Sequence, residues 1–362
     1  MEKKYVLAIN PGSTSTKVSL FEDEFEIKSK KLDHKLEDLE SFEQVSDQYE
    51  YRLGIIIDWL KTVGVTTSML GAVVGRGGML RSIPSGTYIV TEEMVKDLKL
   101  GIQGQHASNL GGLLAKGIAD MEKIPAYIVD PVAVDEFKDI ARISGLKEIT
   151  RKSLLHALNI KAVCHRYSKE YKKNLYKTNL IVAHLGGGIT VSPIENGKII
   201  DANNASQMGP FSPDRAGGLP VGDVVKMCFS GNYTESEMKK KLQGKGGLMS
   251  YLGTFDARNV IKMIEENNKY AKLIYDSMAY QIGKEIGLCA PVLKGEVEAI
   301  IITGGLAYSE YLIDYIEQMV KFIAPIIVYP GEDEMEALNL GTRRVLDGVE
   351  KYKIYEDEVM GW

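Results

Sequence analysis

Six consecutive residues near the N-terminus combine the groups that bind a polyphosphate. Gly12, Ser13, Thr14, Ser15, Thr16 and Lys17 lie between two apolar runs, so backbone N–H groups, hydroxyls and one ammonium converge at a turn. Such a concentration of donors suits phosphate oxygens. An ordinary polar hairpin turn can have the same composition, so this stretch alone leaves both interpretations open.

A second tip of the same design occurs near the middle of the chain. In residues 178–194, TNLIVAHLGGGITVSPI, three glycines at 186–188 separate two apolar runs. Each hairpin continues into a third strand-like piece, around 25–32 and 197–201. Two such hairpins half a chain apart predict duplicated lobes with facing tips, and a cleft between the tips could hold both ends of a phosphate chain.

Three further candidate groups follow predicted strands. Arg76 lies among glycines, which let backbone or ligand approach closely; a turn with a surface arginine is the alternative. Asp130 ends the strand AYIVD, at the position where open α/β sheets place ligand groups. Gly304 and Gly305 separate a strand at 299–303 from a helix, whose N-terminus can receive a nucleotide's sugar or phosphate.

Apolar periodicity predicts the elements that position these groups. A small-residue helix after 104–109 is expected to pack closely on another helix. Residues 202–222, which include Arg215, show no regular pattern of apolar residues. A loop of this length inside a compact domain is uncommon and usually functional, so we expect this loop to have a function. The other predicted helices are an amphipathic one over 48–63, one from Ser153 to about Tyr171, and a final one that begins at 330–334.

Composition limits the classes of partner. The 362 residues carry a formal net charge of −5 and 44% hydrophobic residues, which argues against nucleic acid or an anionic membrane as the main partner. We expect neither a signal peptide nor a membrane span. Three widely spaced cysteines without a CxxC motif fit a reducing cytoplasm. Neither a P-loop motif nor a dinucleotide-binding glycine motif after a strand is found.

Several motifs together identify a family resemblance. INPGSTSTK (9–17), AHLGGGITV (183–191) and ITGGLAYSE (302–310) occur in the order used by the acetate and sugar kinase, chaperone and actin ATPase superfamily. The stretches VVGRGGMLRSIPSGTY, GQHASN, VDPVAVDEF and GPFSPDRAGGLPVGD resemble more closely the acetokinase family, and within it the butyrate kinase branch. The likeness extends over essentially the whole chain.

The resemblance implies an α/β chain with a duplicated, two-lobe actin-like ATPase fold, ribonuclease H-like lobes and an interdomain cleft. We place the lobes at 1–174 (carboxylate side) and 175–345 (nucleotide side). A C-terminal helix at 346–362 is expected to pack back on the first lobe. The family likeness also suggests a homodimer or a higher homo-oligomer.

The activity implied is reversible phosphoryl transfer from MgATP to a short-chain carboxylate, butyrate or a branched analogue, giving an acyl phosphate and ADP. A carboxylate is already ionised at pH 7, so it needs a cation to orient it rather than a strong general base. We predict that Arg76 binds the substrate carboxylate and acts as its clamp. Two alternatives are a nucleotide-driven switch or chaperone-like ATPase, and a sugar or hydroxyl kinase in which Asp130 is the base.

The resemblance also implies site residues, with ATP or ADP and Mg²⁺ as the bound groups. The predicted catalytic residues are Arg76, Asp130, His156 and Arg215. Arg76 and His106 are predicted to bind the carboxylate. The predicted nucleotide-binding residues are Asn10, Ser13, Thr14, Lys17, His184, Gly186, Gly187, Gly188, Gly304 and Gly305. Asn10 with Asp333 or Glu334 is predicted to hold Mg²⁺ through water.

Departures from the family pattern leave some roles open. Acetate kinases carry an arginine where this chain has Pro220, and Arg215 is the expected substitute. The phosphate loop reads Gly-Asn-Gly in acetate kinases, whereas this chain has three glycines. The preferred carboxylate, and which of Asp333 and Glu334 serves the metal, also stay open.

Overall fold

The computed structural model describes residues 4–360, which form two compact units. Unit 1 comprises 4–135, Ala157–Asn159 and 333–360, and unit 2 comprises Glu136–His156 and Ile160–Glu332. None of the helices in this part of the chain is long and apolar enough to cross a membrane.

The strands, in chain order, are β1 Tyr5–Pro11, β2 Ser15–Glu22, β3 Phe25–Asp33, β4 Leu70–Arg76, β5 Thr87–Ile89, β6 Ala126–Val129, β7 Asn179–Leu185, β8 Ile189–Glu195, β9 Lys198–Ile199, β10 Ala299–Gly304, β11 Ile326–Pro330 and β12 Lys353–Ile354.

The α-helices are α1 Leu36–Glu40, α2 Tyr49–Thr62, α3 Glu92–Leu100, α4 Asn109–Glu122, α5 Asp139–Arg142, α6 Ala157–Glu170, α7 Val221–Cys228, α8 Glu235–Leu242, α9 Gly247–Leu252, α10 Ala257–Glu265, α11 Lys269–Val292, α12 Glu310–Val320, α13 Glu334–Leu346 and α14 Tyr355–Glu358.

The two sheets repeat one strand order. Unit 1 has the order β12-β5-β6-β4-β1-β2-β3, and unit 2 has β11-β10-β7-β8-β9. In each unit an antiparallel hairpin, β1–β2 or β7–β8, has a third antiparallel strand on one side and a parallel strand on the other. Both predicted hairpins are therefore confirmed, and each carries its tip at the end of a central strand.

Each unit has its own apolar core, and the strands of its hairpin pack into that core. In unit 1 the buried faces of β1, β2 and β4 pack against α2 and α4. In unit 2 the faces of β7, β8 and β10 pack against α11 and α12. Central strands such as β7 are buried along nearly their whole length, as continuous apolar runs predict.

The prediction that the small-residue helix α4 packs closely on another helix is confirmed, since a Cβ on Gly112 would clash with Leu98 of α3 and one on Gly117 with Tyr49 of α2. The helix also packs directly on β4, where a Cβ on Gly75 would clash with the backbone of Gly111.

Two local predictions are wrong. Helix α6 begins at Ala157 rather than Ser153, so His156 precedes its first turn. Residues 346–360 do not form one helix, since α13 ends at Leu346 and β12 and α14 follow; 361–362 lie outside the described residues.

The limits of the compact units differ from the lobe boundaries predicted from the sequence. Residues 136–156 belong with unit 2, and α13 belongs with unit 1 because it packs on β1, β4 and β6. The division into lobes at 1–174, 175–345 and 346–362 stays a prediction.

Candidate functional site

The first tip (residues 12–17) presents its donors at the end of the β1–β2 hairpin. Ser13 and Thr14 are exposed, and the turn is closed by a 2.7 Å hydrogen bond from the Gly12 N–H to the Ser15 carbonyl. Asn10 and Lys17 are directly opposite one another in the β1–β2 register. Directly paired residues of an antiparallel ladder share a face, so the amide and the ammonium flank the same side of the tip.

Asn10 is part of a three-residue polar cluster in unit 1. Its Nδ2 donates to Glu334 Oε2 at 2.5 Å, and Arg76 Nη1 binds the other oxygen of the same carboxylate. Arg76 and Glu334 are largely buried, whereas Asp333 is exposed just before α13. The structure thus brings together three predicted site residues that are far apart in the sequence.

The donors of this cluster fit Mg²⁺ better than a softer metal. An amide oxygen and one or two carboxylates are hard ligands, and Mg²⁺ commonly uses few protein ligands together with water and phosphate. No group of three or more His, Cys, Asp or Glu residues able to hold a metal ion occurs in residues 4–360. Binding of Mg²⁺ through water by Asn10 with Asp333 or Glu334 stays a prediction.

Close packing of α4 on β4 fixes the position of Arg76. Because Gly75 and Gly111 lack side chains, the helix backbone lies directly against the end of the strand. Asn109 then joins two loops: its Oδ1 accepts from the Met79 N–H at 2.8 Å, and its Nδ2 donates to the Gly104 carbonyl at 3.0 Å. These contacts hold the glycine-rich loop after Arg76 to the loop that carries His106.

His106 lies within electrostatic range of Arg76. Its Nδ1 is 2.8 Å from Ser108 Oγ. Partial burial and the Arg76 charge lower the pKa of His106 from its ordinary value. The ring is therefore neutral at pH 7, and it can donate or accept a hydrogen bond without adding charge beside Arg76.

Asp130 occupies the carboxyl end of β6, as predicted. It is 4% exposed and has a φ of 39°, a left-handed conformation that is uncommon for residues other than glycine. Its Oδ1 accepts the Gly86 N–H at 2.7 Å. A backbone held in this way at a strand end is typical of functional positions.

The second tip (Gly186–Gly188) is built mainly of backbone. The Gly186 N–H donates to the Gly188 carbonyl at 3.1 Å, and Ser212 Oγ donates to the Gly187 carbonyl at 2.5 Å. A Cβ on Gly187 would meet no atom within 4 Å, so this side of the tip is open. The tip can therefore approach a phosphate group closely.

Arg215 lies against the second tip. A Cβ on Gly188 would clash with the Arg215 guanidinium. Within residues 4–360 the polar contacts of that guanidinium are long, with Nη1 3.5 Å from Ser206 Oγ and Nε 3.9 Å from Asp214 Oδ1. Its Nε is buried without a hydrogen-bond partner among residues 4–360. The Arg215 side chain is 22% exposed and its Nη1 makes only a 3.5 Å hydrogen bond within residues 4–360, so the Nη groups can bind an anion, whereas Arg76 already binds a carboxylate.

Two histidines stack beside the second tip. The rings of His156 and His184 lie 4.3 Å apart with an interplanar angle of 28°. His156 Nδ1 is 2.9 Å from Thr190 Oγ1, and the buried His184 has its Nε2 3.3 Å from Glu332 Oε1. The ring nitrogens of both predicted histidines are therefore oriented by side chains of unit 2.

The diglycine after β10 also lies at a strand end of unit 2. Gly304 has a φ of 95°, and a Cβ there would clash with the Leu185 carbonyl, so only glycine fits. Gly305 has open space at its Cα and begins a short 3₁₀ turn, Gly305–Tyr308, before α12. The predicted helix start is thus separated from the diglycine by this turn.

The predicted site residues fall into one group in each unit. In unit 1 the structure brings Asn10, Arg76 and Glu334 into contact and His106 near Arg76. In unit 2 it brings His156 and His184 together and places Arg215 against the second tip. That the two tips face one another across a cleft stays a prediction.

Four residues with contacts to these groups were missed by sequence reasoning: Arg52, Thr190, Ser212 and Glu332. Arg52 is the most informative, because it is 1% exposed and donates to the first tip. Its spacing places it on the same helical face as Ile56 and Leu60, and a charged residue on an apolar face was the available signal. Thr190, Ser212 and Glu332 act through tertiary contacts that spacing does not indicate.

Comparison with known proteins places the chain among carboxylate kinases. The Acetokinase family model matches residues 144–325. The chain is 56% identical over 350 residues to the probable butyrate kinase 2 of Caldanaerobacter subterraneus subsp. tengcongensis, covering 97% of this chain and 99% of that protein. It is 52% identical over 352 residues to butyrate kinase 1 of Clostridium acetobutylicum, with the same coverage.

A solved structure shows the fold. The acetate kinase of Porphyromonas gingivalis superposes with a TM-score of 0.80 at 18% identity, covering 95% of this chain and 100% of that chain. Acetate kinases have the duplicated actin-like ATPase fold, so the prediction of that fold class is confirmed.

Proposed function

The chain belongs to the acetokinase family, and we propose that it transfers the γ-phosphoryl group of ATP, with Mg²⁺, to butyrate or a branched short-chain carboxylate. The products are an acyl phosphate and ADP, and the reaction is reversible. The observation that carries this proposal is the 52–56% identity to curated butyrate kinases over 97% of the chain.

The acceptor oxygen requires no proton removal. A short-chain acid has a pKa well below 7, so its carboxylate is ionised and nucleophilic at neutral pH. Asp130 accepts a backbone N–H through Oδ1, which agrees with a positioning or binding role better than with a strong general base. A hydroxyl acceptor would require such a base, so the carboxylate is the favoured substrate class.

Arg76 is the proposed clamp for the substrate carboxylate. A guanidinium matches a carboxylate in two parallel hydrogen bonds. The contact of Arg76 with Glu334 uses Nη1, so Nη2 and Nε are the donors proposed for the substrate carboxylate. His106, neutral because its pKa is lowered, can contribute a hydrogen bond beside it. Arg76 would supply the positive charge that orients the acceptor, and His106 would add a hydrogen bond without a second charge.

Each unit contributes donors for the nucleotide. In unit 1 these are the tip residues Ser13 and Thr14 together with Lys17. In unit 2 they are Gly186–Gly188, His184 and the diglycine Gly304-Gly305. Backbone N–H groups at such tips are typical phosphate ligands.

Asn10 and Glu334 would hold Mg²⁺ through water, with the exposed Asp333 as the alternative carboxylate. The ion, when bound, neutralises charge on the phosphate oxygens. Glu334 cannot serve the ion and Arg76 fully at the same time, because both use the same carboxylate.

Arg215, His156 and His184 are proposed to stabilise the transferring phosphoryl group. Charge in this reaction spreads over the equatorial oxygens, and fixed cationic or N–H donors lower the barrier. The position of the Arg215 guanidinium against Gly188 and the long hydrogen bond of its Nη1 to Ser206 support this assignment. It would replace the arginine that acetate kinases carry at the position of Pro220.

The test is direct trapping of the product. Purified protein with ATP, Mg²⁺ and butyrate should produce an acyl phosphate that hydroxylamine converts to a hydroxamate. The proposal is overturned if no hydroxamate forms with any acid in the panel: acetate, propionate, butyrate, isobutyrate or isovalerate. ATP turnover independent of any acid would favour the switch ATPase, and phosphorylation of polyols would favour the hydroxyl kinase.

The same panel measures the size of the acyl pocket. Two additional methylenes are worth ~1.6 kcal/mol of burial, roughly a fifteenfold preference in kcat/KM for butyrate over acetate. A preference in the opposite direction would assign the chain to acetate or propionate instead. We also propose a cytoplasmic homodimer or higher homo-oligomer, which light scattering of the purified protein would check.

A further inference from the structure

The buried Arg52 side chain binds the backbone of the first tip from the interior of the protein. Its Nη1 donates to the carbonyl of Gly12 at 2.9 Å, to that of Ser15 at 3.2 Å and to Thr16 Oγ1 at 3.1 Å. Its Nη2 donates to the Ser13 carbonyl at 3.2 Å. One side chain therefore satisfies three carbonyls and one hydroxyl within five residues of the tip.

The guanidinium is itself held in place by its own helix. Gln48, one turn earlier, accepts from Arg52 Nε at 3.1 Å and from Nη2 at 2.7 Å. The hydrogen-bond partners of Arg52 in residues 4–360 are amide, carbonyl and hydroxyl oxygens, with no carboxylate among them. Burial lowers the pKa of Arg52 to about 10, so the side chain stays charged at neutral pH.

The carbonyl contacts determine where the N–H groups of the tip point. In a planar trans peptide the C=O of one residue and the N–H of the next are antiparallel. Because the carbonyls of Gly12 and Ser13 point toward Arg52, the N–H groups of Ser13 and Thr14 point away from it. Both of these residues are exposed, so their N–H groups are directed outward, as an anion site requires.

A buried cation without a carboxylate partner is costly in the absence of a bound anion. Removal of a charge from water is offset only by good hydrogen bonds and by an opposite charge. The hydrogen bonds are present at Arg52, and a polyphosphate on the outer side of the tip would supply the opposite charge. Both effects favour occupation of the first tip by an anion.

We propose that Arg52 is the positioning residue of the first phosphate-binding tip: it directs the Ser13 and Thr14 N–H groups toward the nucleotide and contributes positive potential from behind them. Arg52 does not itself contact the reacting atoms. This inference rests on the proposed function only in that the first tip binds a nucleotide phosphate.

The test compares Arg52→Gln and Arg52→Lys with the wild type. The readouts are the Kd of MgADP by titration calorimetry, and the KM values for ATP and for butyrate measured separately. Arg52→Gln should raise the MgADP Kd and the ATP KM at least tenfold, with less than a twofold change in the butyrate KM. Arg52→Lys should recover part of the affinity, because it keeps the charge with fewer donors.

A matched control is Arg142→Gln in unit 2. Arg142 is also buried, at 7% exposed, and donates to a backbone carbonyl, that of Phe137, at 3.1 Å. The control should leave the MgADP Kd within twofold of the wild type. An unchanged Kd in folded Arg52→Gln, or an equal loss in Arg142→Gln, would overturn the inference.

A second variant keeps the test decisive if Arg52→Gln does not fold. Gln48→Ala removes the acceptor that orients the guanidinium, and it should raise the MgADP Kd about threefold to fivefold. Wild-type affinity in both Gln48→Ala and Arg52→Lys would then overturn the proposal. Since MgADP binding needs no carboxylate, failure of hydroxamate formation in the wild type would count against the proposed acceptor and not against the role of Arg52.

Discussion

The first and second tips occupy the same place in two sheets of the same strand order, yet different groups hold them. The first tip carries hydroxyls and is bound from below by Arg52, whose donors are used by the tip and by Gln48. The second tip is three glycines, held by one hydroxyl from Ser212, with Arg215 beside it. Among residues 4–360 the polar contacts of the Arg215 guanidinium are long, and its buried Nε has no hydrogen-bond partner.

This difference shows that duplication of a fold preserves strand order more strictly than chemistry. One arginine supports a backbone, and the other has donors that remain available to a ligand. Removal of Arg52 should therefore alter nucleotide binding through the shape of a loop, whereas removal of Arg215 should alter the chemical step. Four changes at or below the tips, from the largest expected effect to the smallest, test this distinction.

Arg215→Ala should have the largest effect. If its free donors stabilise the transferring phosphoryl group, kcat should fall by about 10²–10³, as is usual when one preorganised donor is lost. The hydroxamate assay measures this directly. The control is Arg258→Ala, because Arg258 is an exposed arginine of the same unit that pairs with Asp256. A kcat within threefold of the wild type would mean that Arg215 has no role in catalysis.

Gly188→Ala should reduce activity less than loss of the arginine itself. The new Cβ would clash with the Arg215 guanidinium and displace it, and we expect a fall in kcat of about tenfold. Gly222→Ala in α7 is the control, since a Cβ there meets no atom within 4 Å. If Gly188→Ala keeps full kcat while Arg215→Ala loses it, the contact between this tip and the guanidinium is unimportant.

Ser212→Ala measures how much the second tip depends on side-chain support. The variant loses one hydrogen bond to the Gly187 carbonyl, worth about 1 kcal/mol, so the ATP KM should rise about fivefold. Steady-state kinetics at saturating butyrate provides the measurement. An effect as large as that of Arg52→Gln would remove the contrast between the two tips.

The smallest effect is expected at His34, where a substitution should alter how the stability of the fold depends on pH. The ring lies behind the first tip with its Nε2 2.8 Å from Thr16 Oγ1; burial and the Arg52 charge lower its pKa to about 4, against an opposing contribution from Asp33. The unfolded chain binds this proton near pH 6.5, and the folded chain binds it only near pH 4. The lowered pKa of His34 therefore makes its full contribution to the free energy of unfolding above pH 6.5, and this contribution is lost as the pH falls toward 4.

Thermal unfolding at pH 7.0 and pH 4.5 would show this titration. We expect the loss of Tm on acidification to be ~2–4 °C smaller in His34→Gln than in the wild type, once the change in Tm at pH 7.0 is subtracted. The other titrating groups are common to both proteins and cancel in this comparison. Equal losses of Tm in the two proteins would contradict a neutral, buried His34.

The sequence was sufficient for the central strands and both hairpins because their signal is local. Apolar runs broken by Gly12 or by Gly186–Gly188 predict strand, tip and strand without knowledge of any distant residue. The ends of α6 were less predictable. Ser153 is a good helix-capping residue, but the first turn forms only after His156, whose Nδ1 instead lies beside Thr190.

The candidate site was predictable in its residue types but not in its pairings. The sequence predicts a substrate carboxylate as the ligand of Arg76 and Mg²⁺ as the ligand of Glu334 or Asp333, whereas the structure shows Arg76 bound to Glu334 across 258 residues of chain. The sequence places Arg52 only on an amphipathic helix, because its partners in the first tip lie about 40 residues earlier. Contacts of such range depend on how strands and helices pack, and spacing along the chain does not contain that information.

Unit 1 contains both early and late segments of the chain, and this has a consequence for biosynthesis. β12 completes the sheet edge beside β5, and Tyr355 is buried with its hydroxyl 2.8 Å from Asp97. These residues leave the ribosome only after all of unit 2 has been made. Helix α13, which packs on β1 and β2 of the first hairpin, is also made only after unit 2. The first hairpin therefore stays incompletely covered while unit 2 is translated, and during this interval the nascent chain is exposed to aggregation or to capture by a chaperone.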